Sequence, residues 1–170
     1  LLLHPELDFK IKVAGSNNEL QEQQIKQLVE EGIDILLVSP NEARPLTAVI
    51  EEVYKAGIPV ILIDRKTDSE LYTLYIGANN YEIGKTAGHY IANRMNGQAK
   101  VIEILLPLTI SPAAARNRGF HDGIVPTPGV EVVATLETKG GLGDIPKFLP
   151  EILRQHPEAT AIFGHTDLLA

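Results

Sequence analysis

An aspartate and an arginine, Asp64 and Arg65, directly follow the apolar run 58–63. A strand buried within a parallel sheet is almost wholly apolar, so this run is predicted to be such a strand. Open α/β sheets bind ligands at the carboxyl ends of their strands, which is where the pair lies. Because aspartate accepts hydrogen bonds and arginine donates several, the pair suits a neutral ligand with neighbouring hydroxyl groups, such as a sugar. The alternative is a capping aspartate beside a solvated arginine.

Polar side chains also follow the other predicted strands, at the point where each strand ends. They are Ser39 to Glu42, Asn79 and Asn80, Ser111 with Arg116 one turn into a helix, and His165 to Asp167. Because the carboxyl ends of parallel strands share one edge of a sheet, two facing edges of this kind would surround a ligand with hydrogen-bonding groups. Each strand end taken alone is typical of helix capping or a solvated loop. Their coincidence predicts a binding site for a polar small molecule.

Short apolar runs alternate with amphipathic segments along the chain. The runs rich in β-branched residues predict strands at 9–13, 33–38, 58–63, 74–76, 101–106, 130–136 and 161–163. The amphipathic segments predict helices at 17–31, 43–56, 80–96, 112–124 and 144–155. Repeated alternation of this kind predicts an α/β fold of parallel sheets flanked by helices.

Local signals refine this pattern in two places. Ser16 and Glu19 fit a capping box at the start of the first helix. The third and fourth predicted strands follow one another with only a polar loop between them, and the alternation then restarts at Asn79. We therefore place a boundary near this point, which divides the chain into lobes 1–78 and 79–170.

The composition excludes several classes of function. The net charge of −7 and the lack of a basic run argue against a nucleic-acid-binding surface, since phosphate binding needs clustered lysine and arginine. No apolar stretch approaches the roughly 18 to 20 residues of a membrane span. The chain has no cysteine, which excludes disulfides, thiol catalysis and cysteine-based metal sites and fits the cytoplasm and the periplasm equally.

The sequence contains no motif for catalysis, metal binding or cofactor binding. There is no G-x-S-x-G or H-E-x-x-H pattern, and the five histidines are scattered. The glycine-rich stretch 140–143 matches neither common phosphate-binding motif and is interpreted as a flexible loop. Asp64 with His165 or Asp167 would suit acid–base catalysis, but nothing local pairs them. We therefore expect no catalytic residue, no metal and no cofactor, and retain an enzyme only as an alternative.

Blocks of sequence spread over most of the chain resemble one known family. They lie at 35–42, 57–66, 75–84, 111–120 and 156–167, in the family's order. As a set they resemble the type I periplasmic binding protein superfamily, in its ribose-binding-like branch. The motifs S-P-N-E, D-R-K and Y-I-G-A-N-N-Y-E-I-G are most similar to those of the periplasmic sensor domains of bacterial hybrid two-component regulators.

The resemblance implies two lobes joined by hinge strands, with a monosaccharide bound in the cleft between them. The residues expected to contact it, from the resemblance and from the polar strand ends, are Ser39, Asn41, Asp64, Arg65, Asn79, Arg116 and Asp167. The family's hinge-side contact position is occupied by Ala78 in this chain, and Asn79 is expected to provide the polar contact instead.

The sequence also departs from the family's pattern. The first strand and the later strands of both lobes are missing, so we expect a chain truncated at both ends and belonging to a longer protein. Residues 107–110 replace a loop that usually carries glycine, Thr166 replaces asparagine, and 137–144 lacks the aromatic that often stacks on the sugar. These departures bear on affinity and specificity more than on the fold.

Several functions are compatible with this resemblance. The first is a non-catalytic periplasmic sugar sensor, in which ligand shifts an open–closed equilibrium through its differential affinity for the two states. The linked kinase of that inner-membrane protein would lie outside this sequence, and a homodimer would fit the arrangement. The alternatives are a solute-binding protein of a sugar ABC transporter, the effector domain of a LacI-type repressor, whose DNA contacts would lie outside this segment, and an enzyme on a similar scaffold.

Overall fold

The computed structural model describes residues 4, 6–138 and 143–169. Most of the glycine-rich stretch at 140–143 therefore lies outside the described residues. The chain divides after Gly77 into two compact units. We call the part up to Gly77 the first unit and the part from Ala78 onwards the second unit.

The first unit is built on a three-stranded parallel sheet. Its elements are α1 (Asn18–Glu30), β1 (Leu36–Val38), α2 (Ala43–Lys55), β2 (Val60–Ile63) and β3 (Leu74–Ile76). The strand order is β1-β2-β3, with Leu36 opposite Val60 and Ile61 opposite Leu74. β2 and β3 are parallel although only the loop 64–73 connects them.

One face of this sheet forms the core of the first unit. Leu36, Val60 and Leu62 point into the core and are at most 3% exposed. They pack against apolar residues of α1 and α2, which are Ile25, Leu28, Leu46, Val49, Ile50 and Val53. These residues recur every three or four positions and therefore lie on one side of each helix. The other sheet face carries exposed apolar residues, which are Leu37, Ile63, Leu74 and Ile76.

The predicted strand at 9–13 is wrong. This segment has no strand structure, and Phe9, Ile11 and Val13 are 51%, 77% and 79% exposed. A strand forms only where a neighbour completes its backbone hydrogen bonds. Within the described part of the chain no strand pairs with residues 9–13, so their alternating apolar pattern is not sufficient.

Helix α1 begins at a different cap from the one that the sequence predicts. Asn17 is the N-cap, and its side-chain oxygen accepts a hydrogen bond from the Leu20 backbone N–H at 2.9 Å. The predicted capping box of Ser16 and Glu19 is therefore wrong. Asparagine and serine cap helices about equally well, so the sequence alone does not decide between neighbouring candidates.

The second unit is built on another three-stranded parallel sheet, in the order β5-β4-β6. Its elements are α3 (Asn80–Arg94), β4 (Ala99–Leu105), α4 (Ser111–Ile124), β5 (Val130–Glu137), α5 (Asp144–Gln155), β6 (Ala161–Gly164) and a short 3-10 helix (Asp167–Leu169). The central strand β4 pairs in parallel with both neighbours.

Alternate side chains of β4 face two different helical layers. Ala99 and Val101 pack in one apolar cluster with residues of α3 and α4, which include Ala92, Phe120 and Ile124. Ile102 and Ile104 pack in another cluster with residues of α5, which are Ile145, Leu149 and Ile152. Helices thus cover both faces of this sheet, as the strand–helix alternation predicts.

Helices α3 and α4 contact each other at glycines. They are Gly84 and Gly88 on α3 and Gly119 and Gly123 on α4. A side-chain carbon at Gly84 would collide with the Arg116 carbonyl oxygen, and one at Gly119 with the Tyr81 carbonyl oxygen. Because the obstacle is backbone, it cannot move aside as a flexible side chain would. The close contact therefore fixes the first turns of α4, which carry Arg116.

We expect Gly84→Ala to destabilise the second unit. Alanine favours an isolated helix over glycine by about 1 kcal/mol, but overpacking against the α4 backbone costs about 1–3 kcal/mol and forces the helices apart. The net effect should lower the free energy of unfolding, measured by urea denaturation. The control is His89→Ala, because His89 is exposed on the same helix and alanine there changes helix propensity without adding a buried carbon. Equal stability of the two variants would contradict the glycine contact.

Candidate functional site

The carboxyl-end edge of the first unit's sheet holds Arg65 in place. Arg65 Nη1 donates to the Asn41 carbonyl oxygen at 2.6 Å and lies 3.5 Å from the Pro40 carbonyl oxygen. Both carbonyls belong to the loop after β1, whereas Arg65 follows β2. The Arg65 side chain is 32% exposed. The guanidinium is therefore anchored by protein acceptors and still reachable from solvent.

Gln21 on α1 fixes the same loop through its backbone. Its Nε2 donates to the Ser39 carbonyl oxygen at 2.9 Å, and its Oε1 accepts from the Asn41 backbone N–H at 2.8 Å. Asn41 Nδ2 is buried and has no hydrogen-bond partner among the described residues. Since a buried donor without an acceptor costs free energy, an acceptor brought to this edge by a ligand would relieve that cost.

Asp64 lies beside Arg65 in an uncommon backbone conformation. Its φ of 63° is in the left-handed region, which aspartate tolerates better than most residues. The Tyr75 hydroxyl donates to the Asp64 carbonyl oxygen at 2.9 Å. The Asp64 carboxylate is 61% exposed, with Oδ2 3.9 Å from Arg65 Nε. A hydrogen-bond acceptor and a donor thus stand side by side at this edge.

Arg116 is held at the carboxyl-end edge of the second unit's sheet. Its Nε donates to Asn80 Oδ1 at 2.8 Å, and its Nη1 donates to the His165 carbonyl oxygen at 2.9 Å. Asn80 begins α3 and His165 follows β6, so the guanidinium joins three elements. Within the described residues these bonds engage Nε and Nη1 and leave Nη2 as a donor for a ligand.

Asn79 and Asp167 lie at the same edge of the second unit. Asn79 is the N-cap of α3, and its Oδ1 accepts from the Glu82 backbone N–H at 3.2 Å. Asp167 is exposed and begins the 3-10 helix after β6. The structure thus places Ser39, Asn41, Asp64 and Arg65 at one edge of the first unit's sheet, and Asn79, Arg116 and Asp167 at one edge of the second unit's sheet. Their contact with a ligand stays a prediction.

A buried carboxylate, Glu103, lies in β4 and is 0% exposed. Its Oε1 accepts from His165 Nε2 at 2.8 Å, and its Oε2 accepts from His121 Nε2 at 3.0 Å. Asn117 Nδ2 lies 3.1 Å and 3.2 Å from the two carboxylate oxygens. The donors therefore come from the end of β6 and from α4.

These donors keep Glu103 ionised. Burial raises the pKa of the Glu103 carboxyl, but the hydrogen bonds from His165, His121 and Asn117 outweigh burial and hold the pKa below its ordinary value of 4.5. Glu103 is therefore a carboxylate at neutral pH. A buried charge is tolerated only when its hydrogen-bonding capacity is met, which donors on both oxygens achieve here.

The networks contain residues that were not among the predicted ligand contacts. They are Gln21, Asn80, Glu103, Asn117, His121 and His165. Glu103 had a signal in the sequence, because a lone charge interrupts the apolar run 101–106. Asn80 and His165 had one as well, because both stand among the polar strand ends. Gln21 had none, because its partners lie 18 to 20 residues away and only the tertiary fold pairs them.

Two further findings concern metals and membranes. Residues 4, 6–138 and 143–169 contain no group of histidine and acidic side chains placed to bind a metal ion. Across the same residues, no helix is long and apolar enough to cross a membrane. The polar groups at both sheet edges are hydrogen-bonding side chains and backbone carbonyls.

Comparison with known proteins identifies the family. The model of the periplasmic binding protein domain matches residues 5–170, and the chain belongs to this family. The ribose import binding protein RbsB of Bacillus subtilis (strain 168) is 26% identical over 95% of this chain and 53% of its own length. RbsB of Escherichia coli (strain K12) is 27% identical over 97% of this chain and 56% of its own length. The chain thus spans about half the length of these curated relatives.

Solved structures agree with this assignment. The fructose-binding periplasmic domain of a hybrid two-component system is 36% identical with a TM-score of 0.93, over 99% of this chain and 56% of that one. A solute-binding protein of an ABC transporter from Burkholderia graminis, in complex with D-arabinose, is 27% identical with a TM-score of 0.85, over 94% of this chain and 55% of that one. The α/β fold and the family that the sequence predicts are therefore confirmed.

We expect Glu103 to make stability fall in acid. Its folded-state pKa lies below 4.5, so its contribution is fully present above the ordinary pKa and is lost as pH falls through the lower folded value. The thermal midpoint of the wild type, measured from pH 7 to pH 3, should therefore drop more steeply below pH 4.5 than that of Glu103→Gln.

Glu51→Gln is the matched control for this titration. Glu51 forms a surface ion pair with Lys55 at 2.6 Å, and hydrogen bonds from Lys55 and Ser69 lower its pKa. Because surface pairs contribute little, this variant should keep the acid slope of the wild type. Parallel curves for the wild type and Glu103→Gln down to pH 3 would exclude Glu103 as the source of the slope.

Proposed function

We propose that this chain binds a monosaccharide, without catalysis, as part of a periplasmic protein. The observation that carries the proposal is the pair of arginines, Arg65 and Arg116, each anchored by protein acceptors at the carboxyl-end edge of its sheet. The similarity to proteins named for binding fructose and ribose, and to one solved with D-arabinose, supports the same class of ligand.

The chemistry of a sugar matches the groups at these edges. A hydroxyl group both donates and accepts, so one hydroxyl pairs with a carboxylate while its neighbour pairs with a guanidinium. Arg65 and Arg116 would donate to hydroxyl oxygens, and Asp64 and Asp167 would accept from hydroxyl hydrogens. Hydrogen bonds to charged groups contribute about 1.5–3 kcal/mol each, compared with about 1 kcal/mol for neutral pairs. This set therefore favours a compact polyol over an apolar ligand.

The finer proposal is that the chain belongs to the sensor of a hybrid two-component system. The support is the 36% identity to such a domain over 99% of this chain, against 26% to a ribose import protein over 95%. The parent protein would then carry a kinase module in the inner membrane, and this segment would lie in the periplasm. A homodimer of the sensor fits this proposal.

A second candidate is the solute-binding protein of a sugar ABC transporter. The ribose import proteins and the D-arabinose complex favour it, because they match almost as much of this chain. Both candidates use the same kind of sugar site and differ in the partner that reads it. Their separation therefore depends on the parent gene and its neighbours rather than on the site.

Sugar binding should raise the thermal midpoint of the intact protein. A ligand at 100 times its dissociation constant stabilises the folded state by about 2.7 kcal/mol. We expect a clear shift with D-fructose, D-ribose or D-arabinose, measured by a thermal-shift assay. The acyclic alcohol D-mannitol is the control, because it has similar hydroxyl groups without a sugar ring. A cooperative transition that no sugar shifts would refute the proposed ligand class.

Replacement of Asp64 tests the polar edge of the first unit's sheet. Asp64→Asn removes the negative charge but keeps a side chain that tolerates the positive φ of this position. We expect sugar affinity to fall at least about tenfold, which is about 1.4 kcal/mol, with little change in the thermal midpoint. Isothermal titration calorimetry measures the affinity. The exposed Asp68→Asn is the control, and equal affinities of the two variants would remove Asp64 from the site.

A further inference from the structure

We propose that Glu103 is a positioning residue for sugar binding, which sets the place of Arg116 without touching the ligand. Glu103 is fully buried, whereas Arg116 lies at the sheet edge, where its hydrogen bonds to other described residues engage Nε and Nη1 and not Nη2. The inference rests on the proposed function of Arg116. It concerns a carboxylate that neither the ligand contacts nor the helix–sheet packing accounts for.

The first link runs through the end of β6. Glu103 Oε1 accepts from His165 Nε2 at 2.8 Å, and both side chains are fully buried. The carbonyl oxygen of the same histidine accepts from Arg116 Nη1 at 2.9 Å. A change in the His165 side chain therefore moves the acceptor that orients the guanidinium.

Apart from the Glu103 carboxylate, the surroundings of the His165 ring are apolar. Its ring contacts the Phe163 ring at 5.0 Å between centroids, and Phe163 stacks on Phe120 at 4.3 Å. His165 Nδ1 is buried and has no hydrogen-bond partner among the described residues. The tautomer with the proton on Nε2 satisfies Glu103 and leaves only a lone pair unpaired at Nδ1. The imidazole is therefore held through one strong hydrogen bond between apolar neighbours.

The second link runs through α4, the helix that carries Arg116. Asn117 is the next residue along this helix, and its Nδ2 lies 3.1 Å and 3.2 Å from the Glu103 oxygens. His121, one turn further, reaches Oε2 at 3.0 Å. Glu103 thus ties the first turns of α4 to the end of β6. Arg116 bridges the same two elements, so the carboxylate fixes both ends of its hydrogen-bond geometry.

The glycine contact between α3 and α4 does not replace this tie. It sets the distance of α4 from α3, which carries the Asn80 acceptor for Arg116 Nε. The acceptor for Nη1 is the His165 carbonyl oxygen, directly after β6, and the hydrogen bonds of Glu103 set the distance between the end of β6 and α4. Loss of the charge should therefore disturb the Nη1 contact while the helix pair remains.

The test compares Glu103→Gln with Ile102→Val in the intact protein. Ile102 is as buried as Glu103. Its side chain points to the opposite face of the same strand, where it packs in the apolar cluster against α5. The Arg116 Nε–H signal, observed by NMR with ¹⁵N-arginine and assigned with Arg116→Lys, reports the guanidinium directly. Calorimetry with D-fructose and D-ribose gives the dissociation constants.

We expect Glu103→Gln to shift or broaden the Arg116 signal and to raise the sugar dissociation constant about tenfold. Ile102→Val should lower the thermal midpoint but leave the signal and the affinity within twofold of the wild type. A role for Glu103 in stability alone predicts the same behaviour for both variants. A folded Glu103→Gln protein with an unchanged Arg116 signal and affinity would therefore overturn the proposal.

Two provisions keep the outcome decisive. If Glu103→Gln does not fold, Asn117→Leu removes the donor to both carboxylate oxygens, and it should move the Arg116 signal and weaken binding about threefold. If neither sugar binds the wild type, the proposed function fails. The Arg116 signal still decides whether Glu103 positions the guanidinium, because that readout needs no ligand.

Discussion

Parallel strands end at a common edge of their sheet, and this constraint determines where the polar groups of the chain meet. The strand interiors are largely apolar, so hydrogen-bonding side chains concentrate in the segments that follow the strands. In the first unit the segments after β1 and β2 become neighbours, which lets Arg65 reach the Asn41 carbonyl oxygen. In the second unit the same rule brings the start of α4 to the end of β6, where Arg116 meets the His165 carbonyl oxygen. Both arginines are thus positioned by strand order.

The sequence predicted the helices and most strands well but the hydrogen bonds between distant residues poorly, and the difference has a physical reason. Periodicity depends on neighbours a few positions away, and the five helices lie within two residues of their predicted ranges. The strand at 9–13 failed because a strand also needs a partner that the pattern does not contain. Strand ends and the family resemblance identified Arg65 and Arg116 as candidates. The acceptors of Arg116, by contrast, are 36 and 49 residues away, so only the folded chain identifies them.

Two features of the second unit constrain α4 in complementary ways. Glycines let its backbone lie against α3, which fixes the separation of the two helices. The Glu103 carboxylate joins the helix to the end of β6 through directional hydrogen bonds. An apolar residue in place of Glu103 alone would leave the His165 Nε2 and Asn117 Nδ2 donors without their acceptor, which costs free energy. It would also provide no preferred orientation for His165, so the carboxylate positions this residue as well as stabilising the folded chain.

The degree to which the protein already holds each side chain also affects how the sites would bind a sugar. An arginine loses about 0.5–1.5 kcal/mol of rotamer freedom when a ligand immobilises it. Arg65 and Arg116 have lost much of that freedom already, because protein acceptors hold each guanidinium. The carboxylate of Asp64 is exposed, and its ion-pair partner, Arg65 Nε, lies 3.9 Å away. Binding would therefore cost the conformational entropy of ordering this side chain. The arginines would therefore supply preorganised contacts, and Asp64 would adjust to the ligand. Differences between bound sugars should then be accommodated mainly by side chains that the protein holds weakly, such as Asp64.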